Sequence, residues 1–71
     1  MKIYKTKSGS KQFMPSIEEV TKMDHEMQGL CLACGEIQEN IEPDACRYTC
    51  DGCGKTKVYG AAELALMNLC Y

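Results

Sequence analysis

The sequence contains no tryptophan, one phenylalanine and one histidine among its 71 residues. A single imidazole leaves little acid–base machinery for an enzyme. No apolar run is long enough to span a bilayer, so no membrane role is expected. The opening residues, Met1 to Ser10, place lysines between the apolar ones, where a secretory leader would carry a continuous apolar stretch of about 7 to 15 residues. Excess positive charge is also lacking: eight Lys and Arg stand against ten Asp and Glu, for a net charge of −2 and a pI of about 5.2. Such a chain has no overall positive field to hold a phosphate backbone nonspecifically. It is also short, and a core of this size rarely supplies more than roughly 3 to 5 kcal/mol of net stability. A covalent or metal staple is therefore expected.

Six cysteines are available to provide it. Without a leader the expected compartment is the cytoplasm, where thiols stay reduced and paired Cys-x-x-Cys units bind metal in preference to forming disulfides. Two such units are present, Cys31-Leu32-Ala33-Cys34-Gly35 and Cys50-Asp51-Gly52-Cys53-Gly54, with fifteen residues between Cys34 and Cys50. The two-residue spacer lets both sulfurs of a unit turn toward one point, and backbone N–H groups in such a turn can offset thiolate charge. Glycine after the second cysteine suits the positive φ that the turn often requires. Repetition of the whole pattern makes it specific for one structural Zn2+ held by Cys31, Cys34, Cys50 and Cys53. Four thiolates and one divalent ion would take the net charge from −2 to −4.

The other two cysteines are expected to be free thiols. Cys46 is four residues before Cys50, so in an extended segment their Cα atoms are about 13 Å apart at roughly 3.3 Å per residue. Sulfurs sharing one tetrahedral zinc must lie within about 4 Å of each other. Cys70 falls in the last turn of a predicted helix. His25 lies off the apolar face of its own predicted helix and is read as a solvated residue.

The pattern predicts a small metal-stabilised α+β domain. Residues 1–15 form a basic hairpin, with Ile3, Tyr4 and Thr6 favouring extended chain, Ser8-Gly9-Ser10 turning, and Tyr4 and Phe13 reaching the core. Residues 16–28 form a helix with Ser16 and Glu19 as a capping box and Gly29 as its stop. Its apolar stripe, Ile17, Val20, Met23 and Met27, is about 120° wide at 100° per residue. Residues 30–59 form a zinc ribbon, with strands at Glu36 to Glu42 and Arg47 to Cys50 joined by the turn at Pro43-Asp44, and a third short strand from Lys55 to Tyr59. Ile37, Ile41 and Tyr48 are its expected packing residues. Gly60 breaks that strand, and residues 61–71 form a helix whose side chains are apolar apart from Glu63 and Asn68.

Several segments besides the cysteines, namely Gly29 to Gly35, Ile41 to Ala45, Arg47-Tyr48 ahead of the second unit, and Val58 to Leu64, carry a family likeness. Over roughly residues 16–66 the chain resembles small zinc-ribbon proteins encoded by bacteriophages and prophages. The resemblance implies a ribbon fold and a phage-related origin and brings no established activity. In that family a basic residue stands where this chain has Cys46, which agrees with the distance argument.

Three functions are compatible with these features. The first is a noncatalytic interaction module binding a host or phage protein, or a second copy of itself, through the apolar last helix with Leu66, Leu69 and Tyr71. The second is a nucleic-acid-binding ribbon using Lys2, Lys5, Lys7 and Lys11 with Tyr4 and Phe13, joined by Lys55, Lys57 and Tyr59. The third is a rubredoxin-like iron protein, against which stands the absence of that family's aromatic shell.

Overall fold

Two small sheets and two helices make up the computed structural model, which describes all 71 residues. The basic head is a hairpin, β1 (Lys2–Lys5) and β2 (Lys11–Met14), in antiparallel register with Ile3 opposite Phe13 and Lys5 opposite Lys11. Thr6 to Ser10 turn the chain, with Gly9 at φ +87°. Tyr4 is half-buried and donates its hydroxyl to Gln12 Oε1 at 2.7 Å, and Phe13, also half-buried, lies against Gly35; neither ring joins the core as expected.

Helix α1 (Ile17–His25) starts as its sequence dictates. The Glu19 N–H donates to the Ser16 hydroxyl, and the Ser16 N–H donates to the Glu19 carboxylate. The helix is shorter than its 16–28 expectation. Met27 adopts φ +55° and the Gln28 N–H donates to the Met23 carbonyl, the bond of a Schellman stop. Methionine, not Gly29, takes the left-handed position. The apolar stripe is narrower than expected: Val20 and Met23 are buried, whereas Ile17, in the first turn, and Met27, beyond the helix, are exposed.

Gly29 has a different task. It opens β3 (Gly29–Cys31), the centre of a three-stranded antiparallel sheet ordered β4-β3-β5, with β4 at Ile37–Gln38 and β5 at Val58–Gly60. A Cβ there would lie 2.5 Å from Ile41 Cγ2 and 2.9 Å from the Tyr59 carbonyl.

This pairing differs from the expected ribbon. The segments after the first Cys-x-x-Cys unit and before the second do not pair with each other. Instead β4 returns along β3, and Tyr48 bridges to Val58. Each two-residue turn reverses the chain on the spot, so the strand leading into it and the chain leaving it are the nearest antiparallel partners. Residues 39–47 become a loop, with Asn40 at φ +57° near its start and Arg47 at φ +58° at its end. Of the three expected packing residues only Ile41 is buried; Ile37 and Tyr48 are exposed.

Alternation along β3 and β5 sends successive side chains to opposite faces and so builds two cores. Leu30, Leu32, Tyr59 and Ala61 meet Val20, Met23 and Leu64 on the helical side. Cys31 and Val58 meet Ile41, Ala45 and Cys50 on the other.

Helix α2 (Ala61–Leu66) is also shorter than its expected 61–71 span. Gly60 caps it without a side chain, and the Pro43 carbonyl accepts from the Glu63 N–H at 3.0 Å in its place. At its far end Asn68 adopts φ +60° and the Leu69 N–H donates to the Leu64 carbonyl, a second Schellman stop. The chain then turns back, so Leu69 and Cys70 pack on the helical core. The Tyr71 carbonyl accepts from the Ile17 N–H at 2.6 Å, and the Tyr71 N–H donates to the Pro15 carbonyl at 3.0 Å.

Candidate metal centre

Cys31 ends β3 and Cys50 follows the Tyr48 bridge, so sheet pairing points both sulfurs into the second core, where both residues are buried. Cys34 and Cys53 complete each unit from the exposed side. The four Sγ atoms lie within 4.8 Å of one another, with Cys31 to Cys53 and Cys34 to Cys50 each at 3.6 Å. Bonds of about 2.3 Å to a tetrahedral ion require sulfur separations of about 3.8 Å, whereas a disulfide requires about 2.05 Å. The spacing fits four ligands of one metal ion.

The backbone of the two units is nearly superposable in its hydrogen bonding. Gly35 N–H donates to the Cys31 carbonyl at 2.8 Å, and Gly54 N–H to the Cys50 carbonyl at 2.9 Å. The Cys31 N–H donates to the Glu36 carbonyl at 2.9 Å and the Cys50 N–H to the Lys55 carbonyl at 2.8 Å. Gly35 and Gly54 stand at φ +81° and +77°.

The turns also aim backbone N–H groups at the sulfurs. Ala33 and Cys34 donate to Cys31, and Glu36 donates to Cys34. In the second unit Gly52 and Cys53 donate to Cys50 at 3.3 and 3.4 Å, and Lys55 donates to Cys53. Such donors favour thiolate over thiol. Gln38 adds a side-chain donor, its Nε2 lying 3.1 Å from Cys50 Sγ.

Without an ion the environments of the sulfurs diverge. Burial pushes the Cys31 thiol up to about 12, against the N–H groups of Cys34 and Ala33. The Glu36 N–H pulls Cys34 down, but burial and the sulfurs of Cys50 and Cys53 leave it raised. The Lys55 N–H holds Cys53 below the ordinary thiol value. A cation at the centre would supply the charge that lets all four ionise together.

The structure leaves the remaining candidates outside this cluster. Cys46 is exposed, Cys70 packs on the helical core, and His25 is exposed in the last turn of α1. Among the basic residues, Lys2 lies over the Tyr71 ring at 4.3 Å from its centroid, and Lys5 and Lys7 are exposed on the hairpin. Lys11 instead converges with Lys55 and Lys57 on a cleft of about 450 Å³. Tyr59 is buried and offers no free ring. Of the apolar partner candidates, Leu66 is 82% exposed, Leu69 packs inward and Tyr71 is partly exposed.

No helix of the chain is long and apolar enough to cross a membrane. No protein-family model matches the chain, and neither the curated proteins nor the solved structures searched contain a match to it.

Proposed function

We propose that the chain is a noncatalytic zinc-ribbon interaction module whose fold depends on one structural zinc held by Cys31, Cys34, Cys50 and Cys53. The observation that carries this reading is the convergence of four sulfurs within 4.8 Å, each receiving backbone N–H donors. Four thiolates close the shell of a tetrahedral ion and leave no position for a substrate, in contrast to catalytic zinc sites. His25 is exposed in α1 and the described sulfurs need no further ligand. A phage-related origin belongs to the same proposal and is supported by the sequence resemblance alone.

For the interaction itself, the last helix retains Leu66 as a free apolar side chain, while Leu69 is taken up by the core. Elemental analysis of protein purified without added metal tests the reading. One zinc per chain is expected; stoichiometric iron with visible charge-transfer absorption would replace it with a rubredoxin-like electron carrier.

A further inference from the structure

We infer that the cleft between the hairpin tip and the chain leaving the second Cys-x-x-Cys unit binds the phosphate backbone of single-stranded nucleic acid. This deepens the interaction-module reading and rests on it, because the metal-held turns form the cleft. Its floor is Ala33, in the first unit. One wall is the hairpin, with Thr6, Ser8, Ser10, Lys11 and Gln12; the other is Lys55 and Lys57. The walls are fixed to the floor by backbone. Phe13 N–H donates to the Leu32 carbonyl at 2.9 Å, and Leu32 N–H donates to the Lys57 carbonyl at 2.9 Å.

Three lysines line the cleft in a chain that is acidic overall, and no carboxylate does. The ion pairs of the protein are Met1 with Glu19 and Lys22 with Glu26, so Lys11, Lys55 and Lys57 are all unpaired. Lys5 stands opposite Lys11 in the hairpin register and adds to the same field. A concave site lined by one sign of charge concentrates ligands of the other sign even when net charge opposes it. Lysine, hydroxyl and carboxamide groups are the side chains that contact phosphate oxygens.

The lining also discriminates between polyanions. Ala33 is its one apolar residue. An acidic peptide would find no pocket for the aromatic or aliphatic anchor on which protein interfaces depend. A nucleic-acid strand needs none, since its affinity comes from phosphate contacts and released counterions. A duplex presents its phosphates on a convex rod, whereas a single strand can lie in a slot. With no ring in the lining, binding is weak and indifferent to sequence.

The test is fluorescence anisotropy of a short labelled oligothymidylate titrated with the zinc-loaded full chain at several salt concentrations. Saturable binding is expected at low salt, with a log–log salt slope of about −2 for three phosphate contacts at about 0.7 each. Lys11→Gln, Lys55→Gln and Lys57→Gln should each reduce that slope by about 0.7, the triple variant should not bind, and Lys22→Gln on α1 should bind normally. Zinc content and the thermal melt of each variant separate lost binding from lost fold, and Lys57→Arg should restore what Lys57→Gln loses. A zinc-loaded chain that leaves the oligonucleotide free at low salt, or loses as much affinity from Lys22→Gln as from Lys55→Gln, overturns the inference. So does displacement of the oligonucleotide by polyglutamate at equal charge concentration. A chain that binds no metal overturns the ribbon reading instead.

Discussion

The two Cys-x-x-Cys-Gly turns have the same backbone and different surroundings. The first is built into the protein: Leu32 is hydrogen-bonded on one side to β2 and on the other to Lys57, and a Cβ at Gly35 would come within 2.9 Å of the Phe13 ring. The second projects from it. Asp51 to Thr56 are all exposed, and a Cβ at Gly54 would meet nothing within 4 Å. Packing therefore cannot be what gives both turns one geometry. What they share is the Cys-x-x-Cys-Gly sequence, a pair of sulfurs with N–H groups directed at them in an arrangement that suits one metal ion, and the second turn has less else to hold it.

The largest effect is expected from removing ligands. Cys31→Ser, Cys34→Ser, Cys50→Ser and Cys53→Ser should each lose stoichiometric zinc and the cooperative melt, since structural zinc contributes apparent binding free energies of about 10 to 16 kcal/mol. The comparison predicts a residual difference: Cys53→Ser should keep some protected amides around Leu30 and Leu32, whereas Cys31→Ser, which also opens the second core, should keep fewer. Equal loss throughout, read by amide exchange, would break the contrast.

The two glycines sharpen it. Both need the left-handed region, which costs a side-chain-bearing residue about 1 to 2 kcal/mol. Gly54→Ala should cost about that much. Gly35→Ala should cost more, because its methyl also displaces Phe13. Thermal melts of the zinc-loaded variants measure both, and an equal cost would mean that the Phe13 contact is immaterial.

Gln38 links the two regions, carrying a donor from β4 to a sulfur of the second turn. Gln38→Ala should lower zinc affinity by about tenfold or more, the usual effect of losing a hydrogen bond to a ligand. Competition with a chromophoric chelator reads this directly.

The smallest effect should come from Cys46→Ser, exposed and outside the cluster, within about 0.5 kcal/mol by thermal melt.

The cysteine cluster was legible in the sequence because its geometry is local: spacing fixes the turn, and repetition brings a second turn to the same point. The capping box at Ser16 and Glu19 and the Lys2–Met14 hairpin were legible for the same reason. The helix ends were not. Met27 and Asn68 take left-handed positions that sequence reasoning reserves for glycine, and at the second of these the packing of Leu69 into the core offsets the strain. Strand pairing was not legible either, because fifteen intervening residues suit a hairpin between the turns, whereas each turn closes on its own flanks. The lysine cleft joins residues more than forty positions apart; the sequence set Lys55 and Lys57 beside the run from Lys2 to Lys11, but of that run only Lys11 lines the cleft.

Residue-resolved hydrogen exchange of the zinc-loaded chain before and after chelation tests most directly whether the ion gives the two turns their common geometry. The account predicts that the N–H groups of Ala33, Cys34, Glu36, Gly52, Cys53 and Lys55 are protected with zinc, and that chelation releases Gly52, Cys53 and Lys55 first and most completely. Undiminished protection of those three amides in the metal-free chain would contradict it.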